Sequence, residues 1–223
     1  MDFETGDLIL FGSTKSGLAF LLETLIQYCT NSKYSHCAIV VKDPTFNHKD
    51  LKGLYLLEST GGTHIKDVED DEVKFGVQLV PLEERLRTCQ EKCYYRKLDI
   101  KRDANFNNLL NQSYSIVQNK PYDINPIDWI KAAFNLKVGR LHKDNTFFCS
   151  ALVSFVYVCL GLLPKDTDWT IMRPKDLGTE WGSRLSIKQL ESEKELAPIL
   201  TTAFPSATTA THLSTGATVC SSQ

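Results

Sequence analysis

One stretch, Phe147 to Leu163, holds no charged residue and is closed by Pro164. Its apolar side chains recur on nearly every helical face, which predicts a fully buried helix. Gly161 and Pro164 supply the stop. Earlier, Leu18, Leu21, Leu22, Leu25 and Ile26 recur at helical spacing and predict an amphipathic helix over Ser16 to Cys29. Asp103 to Gln118 reads as another, capped by Asp103. Pro81 to Arg87 begins a helix with Pro in its first turn. Trp129 to Phe134 predicts a short helix, and Ser186 to Ala197 a charged, exposed one.

Shorter apolar runs predict strands at Leu8 to Phe11, Tyr34 to Val41, Leu54 to Glu58, Thr63 to Val68, Val77 to Val80 and Tyr94 to Leu98. Alternation along the second puts Tyr34, His36, Ala38 and Val40 on one face. Strands fill the first half, and helices begin and end the domain. The expected class is therefore α+β, a mainly antiparallel sheet packed on the central buried helix. Residues 1–200 form the domain. From Thr201 the chain is Thr, Ser and Ala without periodicity, which predicts a disordered tail.

Composition changes this picture little. Hydrophobic residues are 42% and charged residues 23%, ordinary for a globular chain. A net charge of -2 gives no electrostatic case for nucleic acid or an anionic membrane. The acidic start, Met1 to Glu4, lacks the regions of a signal peptide. Seven cysteines without regular spacing read as reduced thiols, so a cytosol-like compartment is expected. Cys89 and Cys93 have no second pair to complete a zinc site. Phe147 to Leu163 touches the lower length limit of a membrane-spanning helix, but Ser150, Ser154 and Tyr157 fit a core helix as well.

The candidate chemistry starts from Cys149 at the head of the buried helix. Unpaired N–H groups and the helix dipole favour an anion there, so a thiol loses its proton more easily. A buried cysteine that only fills space is the competing reading. Of five histidines, His48, His64 and His142 lie in or beside polar loops and His212 in the tail. His36 alone stands on a strongly predicted strand, where a general base is best held. Glu58 ends an apolar strand at the rim of the sheet and is a candidate to orient the imidazole.

Six motifs come in order: Gly-Asp-Leu-Ile at 6–9, Tyr-Ser-His-Cys-Ala-Ile-Val-Val at 34–41, Leu-Leu-Glu-Ser at 56–59, Lys-Pro-Tyr-Asp at 120–123, Phe-Cys-Ser-Ala-Leu-Val at 148–153 and Arg-Pro-Lys-Asp-Leu at 173–177. Together they resemble the circularly permuted branch of the NlpC-type papain-like cysteine amidases. That branch includes bacterial YiiX-like proteins and a poxvirus family; lecithin–retinol acyltransferases are more distant permuted relatives. The resemblance spans roughly Gly6 to Leu177. It implies a permuted papain-like fold in which the Cys helix follows the His strand. It implies Cys149 as nucleophile, His36 as base and Glu58 as third polar residue. Tyr34 is implied to help polarise a substrate carbonyl and Tyr122 to line the cleft. His36 is followed by Cys37 where the family more usually has a small apolar residue; that position is expected to face the other side of the sheet, so it does not count against activity.

The expected function is a cysteine hydrolase acting on an amide, ester or thioester of a peptide, amino-acid amide or lipid, without cofactor or metal. The rivals are a lipid-directed acyltransferase or phospholipase and a catalytically silent binding domain. The chain ends Cys220-Ser221-Ser222-Gln223, the spacing a prenyltransferase reads, with a terminal Gln that favours farnesyl. Two central serines and the lack of a polybasic run weigh against that membrane anchor.

Overall fold

The computed structural model describes residues 2–12, 32–46, 50–61, 63–89, 92–122, 146–179, 183, 185 and 187–196. The helices expected over 16–29 and 129–134, the tail from 201 and Cys220 lie outside these residues.

The described strands are β1 (Leu8–Phe11), β2 (His36–Lys42), β3 (Leu54–Thr60), β4 (Gly76–Pro81), β5 (Cys93–Arg96) and β6 (Lys194–Glu195). They form one sheet in the order β4-β3-β2-β1-β5-β6, antiparallel at every pairing. The described helices are α1 (Leu82–Thr88), α2 (Ala104–Val117) and α3 (Cys149–Cys159). The α+β expectation, a sheet packed on a buried helix carrying Cys149, is what the structure shows.

Alternation along the strands divides the core. Leu8, Leu10, Cys37, Ile39, Val41 and Leu57 pack with α2 and α3. Ile9, Phe11, Ala38, Val40 and Leu56 pack on the opposite face with Leu82 and Leu86 of α1. No residue of α3 is exposed, as its uncharged, largely apolar sequence requires. Gly161, at φ +73°, ends it in the left-handed conformation that glycine adopts without a Cβ penalty. Asp7 ties the layers' ends together. Its carboxylate accepts from Tyr95 Oη, the Leu98 N–H and Arg102, all around a fully buried position. Tyr157 Oη of α3 donates to the Gly6 carbonyl at 2.9 Å, bolting the helix to the same corner.

Two expected elements differ. Thr63 to Val68 is not a strand. The Asp67 carboxylate accepts from the backbone N–H groups of Glu69 and Leu79, and such side-chain bonds favour a turn over a ladder. Ser186 to Ala197 is not a helix where it is described. Lys194–Glu195 pairs with Tyr94 and Tyr95, and Arg96 holds the carbonyls of Leu190 and Glu191. Pairing with the edge of β5 overrides local helix propensity. Among the described residues no helix is long and apolar enough to cross a membrane.

Candidate functional site

Cys149 is the first residue of α3, and Phe148 before it is extended (φ -94°, ψ 167°). The approach to the helix is pinned on both sides. Ser59 Oγ donates to the Phe147 carbonyl at 2.6 Å, and the Phe147 N–H donates to the Pro121 carbonyl at 3.1 Å. The Phe147 ring is fully buried and stacks on Trp169 at 5.2 Å. Behind the thiol, the small Ser150 lets the Met172 carbonyl approach, accepting from its Oγ at 2.7 Å. The chain is thus forced to start its helix at the cysteine.

His36 opens β2 and shares a face with its cross-strand partner Phe11, the rings lying 5.2 Å apart. Its Nε2 is 2.7 Å from Glu58 Oε2. An ionised carboxylate only accepts, so Nε2 carries the hydrogen and Nδ1 is left free for the Cys149 thiol, whose proximity raises the pKa of the ring. Cys37 points to the helix side of the sheet, as expected. That side is where Cys149 lies, and Cys37 is the largest influence lowering the pKa of its thiol.

Glu58 is not at a rim. It is fully buried within β3, and each oxygen is engaged. Gln78 Nε2 donates to Oε1 at 2.9 Å; Arg85 Nε donates to Oε2 at 3.3 Å, beside His36. Arg85 lies on α1 with its guanidinium 4.4 Å from the centre of the Phe11 ring.

These contacts set the charges. Burial opposes ionisation of Glu58, but Arg85, His36 and Gln78 outweigh it and hold its pKa down at about 2. Burial likewise opposes charge on His36. Its bonds and charge coupling to Cys149 and Glu58 prevail, raising its pKa to about 10. The hydrogen bond from Cys37, then the bond and charge of His36, push the Cys149 thiol well below its ordinary value against its own burial. Burial and the neighbouring Cys149 push Cys37 well up, so it remains the donor of the two thiols. These shifts favour a thiolate–imidazolium pair backed by a carboxylate, an arrangement chemically able to supply a nucleophile and an acid.

Tyr34 does not share the face of His36. The pleat begins only at His36, because Ser35 turns its hydroxyl to the Gly12 carbonyl and its N–H to Phe11. Tyr34 is fully buried on the helix side, edge-on to Tyr94 at 5.4 Å, and is one of the groups that lower the pKa of Glu193. Tyr122 lies beside the lead-in to α3, its backbone bridged to Phe147 and its ring edge-on to the exposed Phe75. Arg85 and Gln78 carry no sequence signal as site residues. Arg85 reads as one more charge on a short surface helix.

No family model and no curated protein matches the sequence. Among solved structures, the chain is similar to the crystal structure of metalloprotein yiiX from Escherichia coli O157:H7, at a TM-score of 0.43 and 22% identity. The match covers 70% of this chain and 64% of that one, less than two thirds of its length. Among the described residues here, no group of three or more His, Cys, Asp or Glu side chains is placed to hold a metal ion.

Proposed function

We propose that this protein is a cysteine hydrolase that cleaves an amide, ester or thioester through an acyl-enzyme on Cys149. The observation that carries this is the 2.7 Å hydrogen bond from His36 to the buried Glu58 carboxylate, with the Cys149 thiol that couples to His36 on the first residue of a buried helix. The His strand precedes the Cys helix, the order of the permuted papain-like amidases that the motifs resemble.

Thiolate Sγ attacks the acyl carbon, and the carbonyl oxygen takes the negative charge. First-turn N–H groups of α3, which have no partner within the helix, stabilise that oxyanion. As the intermediate collapses, the bond to the leaving group breaks. His36 gives its Nδ1 proton to that group, leaving a thioester on Cys149 and a neutral imidazole. Water then attacks the thioester while Nδ1 takes its proton. The acid departs, and thiolate and imidazolium are restored. Glu58 stays ionised throughout, holding the ring in the tautomer that leaves Nδ1 free to act. Tyr122 and the exposed Phe75 beside it border the substrate.

Rapid-quench mass spectrometry with a 4-nitrophenyl acyl ester tests this. The expected result is one acyl group on the Cys149 peptide, lost with time in water. Lipid acceptors that shorten its lifetime and carry off the acyl group would turn the reading from hydrolase to acyltransferase. A folded protein with an unmodified Cys149 would instead fit a binding domain.

A further inference from the structure

Arg85 does nothing in the steps above, yet it is one of the closest neighbours of Glu58. Its Nε lies 3.3 Å from the same oxygen, Oε2, that accepts from His36. Its guanidinium is spread over Phe11, whose other neighbour is the His36 ring. Arg85 itself is buried, at 9% exposure, so its charge acts without much solvent screening.

We propose that Arg85 is a positioning residue of this site, whose guanidinium completes a neutral row of alternating charges and so lets Cys149 stand as the thiolate. The inference rests on the hydrolase reading for its meaning, but not for its test. The groups facing one another are Cys149 from α3, His36 and Cys37 from β2, Glu58 from β3 and Arg85 from α1. With Arg85 present, thiolate, imidazolium, carboxylate and guanidinium sum to zero. Without it, one imidazolium serves two buried anions, and a net charge of minus one is left in the interior. Such a charge is costly and is relieved by taking up a proton. The carboxylate keeps its 2.7 Å partner, so the thiolate is the anion that gives way. Removing Glu58 together with Arg85 restores neutrality and the thiolate.

The experiment is the pH dependence of Cys149 alkylation by iodoacetamide, read by peptide mapping between pH 5 and 9.5 on folded full-length protein. In Arg85→Met the acid limb should move up by about two pH units, to near pH 7, slowing labelling at pH 6 by roughly tenfold. At pH 9.5 the two proteins should agree within about twofold. Arg85→Lys should regain most of the loss, and the Glu58→Gln/Arg85→Met double variant should recover relative to Arg85→Met. Should Arg85→Met not fold, the same effect is read between Glu58→Gln and the double variant, whose limb should lie higher. Superimposable limbs with and without Arg85 would overturn the proposal. An ordinary thiol profile in the parent protein would instead remove the nucleophile reading itself. No acyl adduct beside a shifted limb would sink the hydrolase and leave the role of Arg85 standing.

Discussion

His36→Ala is expected to lower turnover of an activated acyl ester by about 10,000-fold, with Tm changed by only a few degrees. Two losses combine in this one substitution. The thiolate loses the cation that stabilises it in a buried place, so the nucleophile is protonated at neutral pH. On the proposed mechanism, the leaving group also loses the proton that Nδ1 would supply. Stability changes little because Glu58 keeps Arg85 and Gln78 when the imidazole is gone. Initial rates with purified protein, alongside a thermal melt, check both halves. A folded His36→Ala protein with near-parental turnover would contradict the scheme. In the parent, turnover should fall again as pH rises through about 10, where His36 ceases to be an acid.

Glu58→Gln is expected to cost roughly 3 kcal/mol of stability at pH 7. A carboxylate at the rim of a sheet would tolerate the change, and the sequence alone suggests such a place. In the fold Glu58 is fully buried and is the anion for Arg85 as well as His36. The amide keeps the shape and loses the charge, leaving a buried guanidinium without its partner. The sign with pH follows from the depressed pKa. Folded Glu58 titrates near 2 instead of 4.5, so its contribution is complete above about pH 4.5 and is lost as pH falls through 2. That interval corresponds to on the order of 3 kcal/mol. Denaturant titrations of parent and Glu58→Gln should therefore differ most at pH 7 and converge near pH 2. Equal stability at pH 7 would show that the carboxylate is not the buried counterion described here.

The sequence was most legible where one residue type admits one environment. The uncharged run after Phe147 had to be a buried helix, and α3 is one. The β-branched run after His36 had to be a strand, and its period fixed Cys37 on the opposite face. What failed were inferences that needed partners distant in the chain. Tyr34 left the pattern because the strand starts two residues later than the apolar run suggests. Lys194–Glu195 left its helical pattern because an unpaired edge of β5 lay within reach. Arg85 joins the site only because Pro81 turns the end of β4 directly into α1, which aims the guanidinium across Phe11 at Glu58. Nothing in Leu82–Thr88 distinguishes that arginine from Arg87, which is exposed one turn edge away.

The central claim is that Cys149 is a thiolate because of its place at the head of α3 beside His36 and Cys37. The rate of iodoacetamide labelling at Cys149 between pH 6 and 8, measured by peptide mapping, tests it most directly. An ordinary thiol, with a pKa near 8.5, changes its thiolate fraction by nearly 100-fold over that range. The account predicts a nearly flat profile for Cys149, and a steep one for Cys159, whose partial burial raises its pKa. Exposure alone would favour the half-buried Cys89 and Cys159 over Cys149, so the pH dependence separates acidity from access. A Cys149 rate that climbs with pH as steeply as that of Cys159 would contradict it.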